Sequence, residues 1–229
     1  MICKLIPLLI FVAAARLSAA PAITSVANSA SNLPSVLPNG SVAPGSIFVV
    51  KGSGLGPATL AVAANAFQST SLSGTSAAIT VSGTTVNALL YYTSDKQIAA
   101  LLPSNTPTGT GTITVTYNGQ PSPIAPFGVV SNNLGIFTVD SSGQGAGIVT
   151  YADYSLVSPM KAANCGGPNT TCGAANPGDT LILWGTGLGA VSGSDAAGAG
   201  LGQNMPNLSL QLWVGGVQAK VIYQGRSGC

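Results

Sequence analysis

A thirteen-residue stretch of this chain occurs twice, and no other property of the sequence limits its fold so tightly. Pro44-Gly45-Ser46-Ile47-Phe48-Val49-Val50-Lys51-Gly52-Ser53-Gly54-Leu55-Gly56 returns as Pro177-Gly178-Asp179-Thr180-Leu181-Ile182-Leu183-Trp184-Gly185-Thr186-Gly187-Leu188-Gly189, offset by 133 residues. A second match aligns Ile79 to Tyr92 with Leu210 to Tyr223 at an offset of 131, including Val86-Asn87-Ala88 against Val217-Gln218-Ala219. Matches in the same order at nearly the same spacing mark an internal duplication, so both halves are expected to share one architecture.

Each copy reads as β. Phe48 and Val50 alternate with Ile47, Val49 and Lys51; Ile79 and Val81 precede a turn at Gly83; Val86 to Tyr92, Gln97 to Leu102 and Thr112 to Tyr117 supply further strands. Glycine and proline mark the turns at Pro44-Gly45, Gly52 to Pro57, Pro103 to Gly111 and Asn118-Gly119. The chain after its first 22 residues shows no sustained 3.6-residue apolar period, which predicts an all-β fold: two immunoglobulin-like antiparallel sandwiches in tandem.

The pattern of Pro44-Gly45 followed by Gly52, Gly54, Leu55 and Gly56, then Gly83, Val86 and Ala88, then Pro103, Gly109, Gly111 and Val115 to Ser122, resembles IPT/TIG modules, which are immunoglobulin-like. The resemblance covers residues 40 to 130 best. The chain is more closely similar to an uncharacterised C-terminal domain of secreted acidobacterial proteins, through Val26 to Ser31, Gly135 to Thr138, Gly143 to Ala146, Pro177-Gly178-Asp179 and Val214 to Cys229. That likeness implies a two-unit extracellular β-module and carries over no catalytic residue. The expected organisation is a signal peptide over 1–22, a first sandwich over 23–130, a connecting β segment with a cysteine loop over 131–176, and a second unit over 177–229. The first copy continues from Ile98 to Val130 after Tyr92, whereas the second stops at Cys229, so the second unit is expected to be incomplete and truncated at its C-terminus.

Export is read from Lys4, the apolar run Leu5 to Ala15, and the small residues Ser18-Ala19-Ala20-Pro21-Ala22, the three regions of a secretory signal. The run is too short to span a bilayer, and no membrane span is expected once the signal is removed. A secreted, periplasmic or cell-surface location follows. Losing Lys4 and Arg16 leaves five basic residues against five aspartates, a neutral chain without the basic clusters that nucleic acid or anionic lipid would need. The sequence has no histidine and no glutamate, which removes Ser-His-Asp and Cys-His catalysis and histidine-ligated metals. No metal site and no cofactor are expected, and the chain is expected not to be an enzyme.

Gly52-Ser53-Gly54-Leu55-Gly56 superficially matches a dinucleotide loop, but Pro57 follows it and no helix is expected, so it reads as a turn. Cys165 and Cys172 bracket six turn-forming residues and, in an exported chain, suit a disulfide, leaving Cys229 without a partner. The aspartates Asp95, Asp140, Asp153, Asp179 and Asp195 read mainly as turn residues, with calcium at Asp140 or Asp153 a weaker alternative. The alignment places Trp184 opposite Lys51 and Trp213 opposite Ser82, both polar positions, so both indoles are expected on an outer face, with Leu181 and Leu183 inward. With Tyr223 they form a candidate binding surface for the chain's own segment 131–160, a neighbouring domain or a glycan. The expected function is a structural or adhesive module whose partners are extracellular or cell-surface proteins or domains. A polysaccharide-binding module using Trp184, Trp213 and Tyr223 is the alternative, and an Asp-dependent hydrolase carries low weight.

Overall fold

A computed structural model describes residues 20–35, 37–157, 173–193, 195, 203–205 and 207–227. The fold is all-β and antiparallel, with no helix among the described residues. The signal segment, apart from Ala20 to Ala22, lies outside them, as do Cys165, Cys172 and Cys229.

Residues up to Val130 build a two-sheet sandwich. One sheet has the order β1 (Ala22–Asn28), β2 (Ile47–Ser53), β8 (Gln97–Leu101), β7 (Leu89–Thr93), β3 (Ala61–Val62). The other runs β10 (Gln120–Pro121), β9 (Gly109–Tyr117), β5 (Thr75–Val81), β4 (Ser71–Leu72), with β11 (Ala125–Val129) also on β9 and β6 (Thr84–Asn87) also on β5. Strict alternation places Ala77, Ile79 and Val81 of β5 inward, opposite Phe48, Val50, Leu90 and Ile98 of the facing sheet, all fully buried. Phe48 meets Phe127 edge-to-face with ring centroids 5.5 Å apart.

The turns follow from glycine and from small polar residues. Ser82 (φ 50°) and Gly83 (φ 80°) join β5 to β6, and Asn118 (φ 48°) and Gly119 (φ 80°) join β9 to β10; both pairs have the two positive φ angles of a type I′ hairpin turn. The second copy repeats the device at Gly215 (φ 57°) and Gly216 (φ 82°), between β17 (Leu212–Val214) and β18 (Val217–Ala219). Superposing the two hairpins by their turns pairs Val81 with Val214 and Thr84 with Val217, an offset of 133 rather than 131. Both matches then share one offset, and Trp213 is the equivalent of Thr80, not of Ser82.

The segment 131–176, expected as a connecting β segment with a cysteine loop, supplies strands that pair with the second copy. β12 (Gly135–Ile136) pairs with β15 (Gly185–Thr186), and β13 (Val149–Tyr151) pairs with β14 (Leu181–Leu183). In the first copy Ala22 and Ile23 of β1 face Ser53 and Gly52, while Val26 to Asn28 face Val50 to Phe48. At the offset of 133 these β2 residues become Thr186 and Gly185, then Leu183 to Leu181. Gly135-Ile136 and Val149-Thr150-Tyr151 therefore occupy the register of β1, split by an excursion over 137–148. One further strand pair, β16 (Gln203–Asn204) with β19 (Gly225–Arg226), completes the described elements.

Candidate functional site

The three aromatic residues singled out in the sequence occupy different settings. Trp184 follows β14 and is half-buried; its Nε1 donates to Thr150 Oγ1 at 3.0 Å, and its ring lies 6.0 Å from that of Tyr154, tilted by 35°. Both partners come from segment 131–157. The expected facing of β14 is inverted: Leu181 and Leu183 are exposed, while Ile182 and Trp184 lie on the more covered side. The physical reason is that β13 and the loop carrying Tyr154 cover the Trp184 side and give its N–H an acceptor.

Trp213 stands 59% exposed on the β17–β18 hairpin, opposite Gln218. Val214 and Val217 beside it are likewise exposed, and so is Ile222. Tyr223 is exposed and donates its hydroxyl to the Arg226 carbonyl. Among the described residues no ring contact joins Trp213 or Tyr223 to another aromatic residue.

A second aromatic group, missed in the sequence, lies on the outer side of the first sandwich. Phe67 and Tyr91 have ring centroids 5.4 Å apart with a 44° tilt, and Tyr91 and Tyr92 are 5.7 Å apart with a 59° tilt. Strict alternation would send neighbouring residues to opposite faces. Here the register between β7 and β8 slips after Leu90, so that Leu90 faces Ala100 and Tyr92 faces Ala99, which leaves Tyr91 as the extra residue of a β-bulge. Leu90 remains in the core, while Tyr92 packs on the outer-face residues Ala27, Val49 and Ala99. Gln97 Nε2 donates to the Tyr92 hydroxyl. Burial, partly offset by that bond, raises the Tyr92 phenol above its ordinary pKa. The sequence signal was Tyr91-Tyr92 at the end of the strand expected over Val86 to Tyr92.

The aspartates are turn and seam residues. Asp95 accepts from the Gly54 N–H at 2.8 Å and pairs with Lys96 at 2.7 Å; Lys96 first and Gly54 second hold its carboxyl below the usual range. The glycine loop is thus a packed turn, with Leu55 fully buried beneath it. Asp140 accepts from the Ser142 N–H and hydroxyl, and those bonds, with a smaller one from Thr138, likewise lower its pKa. Asp153 and Asp179 both line an open concavity of about 640 Å³, each exposed and each bonded within its own turn, Asp153 to Ser155 and Asp179 to the Asn176 N–H. No group of three potential metal ligands occurs among the described residues. Asp195 is different: it accepts from the Ser104 N–H at 2.6 Å and hydroxyl at 2.9 Å and pairs with Arg226 at 2.6 Å, nearly buried.

The two bonds from Ser104 are among several ties between the two copies. Asn28, fully buried, donates through Nδ2 to the carbonyls of Asn133 (3.0 Å) and Thr186 (3.3 Å), and its Oδ1 accepts from the N–H groups of Ala30 and Ser31. The Thr186 hydroxyl accepts from the Ile47 N–H at 2.9 Å. Gly187 lies against Asn133, where a Cβ would come within 1.9 Å of the carbonyl oxygen, so only glycine fits. The repeated Gly-Leu-Gly motif of the second copy therefore packs against residues 131–133, which follow the first sandwich.

Neither the protein-family models nor the curated proteins include a match to this chain. Among solved structures it is similar to a gamma-CGTase from an alkalophilic Bacillus clarkii, at 15% identity and a TM-score of 0.32. The match covers 78% of this chain and 22% of that one, so the chain spans about a fifth of the enzyme's length. That match is to an enzyme, which runs against the expectation that the chain is not one. No helix among the described residues is long and apolar enough to cross a membrane.

Proposed function

We propose that the protein is an exported, IPT/TIG-like structural or adhesive module that works outside the cell by presenting a rigidly mounted apolar edge. The observation that carries this reading is the β17–β18 hairpin, which turns Trp213, Val214 and Val217 outward at 59%, 61% and 71% exposure. Monomeric proteins seldom leave large neighbouring apolar side chains uncovered unless the surface is used for contact. The mounting comes from Asn28, Thr186 and the Ser104–Asp195 bonds, which tie the second copy to the first sandwich. Extracellular or cell-surface proteins are the partners such an edge suits.

The polysaccharide alternative draws on Trp213 and Tyr223, while Trp184 is half-buried and engaged with Thr150 and Tyr154. The experiment is adherence of beads coated with the full chain to cell envelopes, compared with a Trp213→Ser/Val217→Ser variant whose circular dichroism matches the parent. Adherence that drops at least about tenfold in the variant supports the reading. Adherence equal to bare beads, or unchanged by the double substitution, overturns it.

A further inference from the structure

We propose that Phe67, Tyr91 and Tyr92 form a binding site for a single, twisted chain of neutral pyranose sugars. The site is on the first sandwich, apart from the edge assigned above, so its failure would leave that reading standing.

Three observations converge on it. First, the β-bulge at Tyr91 re-aims a side chain that regular pairing would not place beside Tyr92, and bulges are enriched where a strand presents a functional group. Second, Phe67 holds φ at 58°, a region that costs a bulky side chain energy. Its backbone is pinned there by the bond from its N–H to the Leu90 carbonyl, with the Ala63 N–H bonded to the Tyr91 carbonyl beside it. An asparagine would take this conformation with less strain, so the aromatic ring is kept at a cost that the core does not recover, since Phe67 is only half-buried. Third, the polar group bonded to the rings is neutral. Gln97 Nε2 donates to the Tyr92 oxygen, which leaves the phenolic hydrogen available to a ligand; of the charges nearby, Asp95 pairs with Lys96, and Lys51, across the strand from Gln97, donates to Asn32 Oδ1.

An exposed ring, Tyr91, flanked by the half-buried rings of Phe67 and Tyr92 and by the amide of Gln97, suits a ligand with apolar ring faces and hydroxyl edges, which is the chemistry of a pyranose. The tilts of 44° and 59° refine the class. A flat crystalline polysaccharide face requires coplanar rings, whereas successive sugars of a single chain turn relative to one another and meet tilted rings.

The test uses the full chain with cellohexaose, maltohexaose, xylohexaose and mannohexaose as probes, read by amide chemical shifts and by retardation in gels containing the matching soluble polysaccharides. At least one oligosaccharide at about 1 mM is expected to shift Val62, Phe67, Tyr91 and Gln97. Tyr91→Ala should weaken that binding about tenfold, and Trp213→Ala should leave it unchanged. Phe67→Asn separates a structural role from a binding one: it should lose binding while raising the unfolding midpoint. No shift with any of the four sugars, equal binding by Tyr91→Ala, or capture by crystalline cellulose in preference to soluble chains would overturn the proposal. So would a proline-rich peptide occupying these residues when the sugars do not.

Discussion

Substituting Asn28 should separate the two copies more effectively than any other single change. The side chain is fully buried and makes four hydrogen bonds, two as donor to the Asn133 and Thr186 carbonyls and two as acceptor from Ala30 and Ser31. Asn28→Ala removes all four partners at once. A hydrogen bond contributes about 0.5–1.5 kcal/mol net, but a buried group left unpaired costs about 1–3 kcal/mol. The bonds to Thr186 and Ala30 are buried and those to Asn133 and Ser31 only partly so, which lets water rescue the latter. Two full penalties and two reduced ones give a loss of about 3–5 kcal/mol, on the order of a 10 °C fall in midpoint for a chain of this size. Asn28→Asp keeps the acceptor toward Ala30 and Ser31 but sets a carboxylate against two carbonyls, and should be at least as damaging. Urea unfolding followed by Trp fluorescence reads the loss, because both tryptophans, Trp184 and Trp213, report on the second copy. The variant should show the second copy melting ahead of the first sandwich. A single transition shifted by less than about 1 kcal/mol would refute the claim that Asn28 holds the junction.

Arg226→Ala should cost about 3 kcal/mol in urea titration, because it leaves the nearly buried Asp195 carboxylate with Ser104 alone. Gly83 and Gly56 should respond differently to alanine. Gly83 has open space where a Cβ would go and only its φ of 80° to lose, so Gly83→Ala should cost about 1 kcal/mol, whereas a Cβ on Gly56 would sit 2.1 Å from Thr93 Oγ1 and should cost clearly more by thermal melting. The depressed carboxyls of Asp95 and Asp140 contribute stability that is present above the ordinary aspartate range and lost as the pH falls through their folded values, so Asp140→Asn should flatten the acid limb of a stability–pH curve. Tyr92 works in the opposite direction: its raised phenol favours the folded state up to the ordinary tyrosine range, with that contribution lost as the pH climbs through the folded value. Tyr92→Phe should remove that part of the alkaline limb.

The all-β class, the alternating core strands and the turns at Gly83 and Asn118-Gly119 were legible because period-2 burial and paired positive φ angles leave local marks. The register between the copies was not. Offsets of 131 and 133 differ by two residues, and a slip of two returns every side chain to its own face, so apolar alternation cannot distinguish them. Only the turn residues can, and Ser82-Gly83 against Gly215-Gly216 looks like a weak match until both pairs are seen at positive φ. For the same reason the outward setting of Trp213 survives the change of its partner from Ser82 to Thr80. The β1-like strand of the second copy was hidden because the excursion over 137–148 cuts it into pieces of two and three residues, too short to show a period. The inverted face of β14 was hidden too, since Thr150 and Tyr154, which cover Trp184, come from that same unrecognised strand and the turn after it. The Tyr91 bulge leaves no trace in residue pattern, being a property of how β7 meets β8.

The scarcity of charge takes on a structural meaning once the seam is visible. Asn28, Asn133 and Thr186 tie the copies through uncharged side chains to backbone groups, and the Gly187 approach adds a contact that no ion could make. Neutral bonds of this kind cost less to desolvate than ion pairs and are not screened by salt, so a seam built from them holds as ionic strength varies. Asp195–Arg226 is the exception, and it is placed where Ser104 supplies two further donors to the carboxylate, the added hydrogen bonding that a buried pair needs. A chain with so few charges therefore sets one carboxylate, Asp195, at the junction and leaves the exposed apolar residues Trp213, Val214, Val217 and Ile222 with Lys220 nearby in sequence as their one basic neighbour on the β17–β18 side. Edges of that kind pair readily unless lysine or proline blunts them, which is why contact through the second copy is the property that this composition favours.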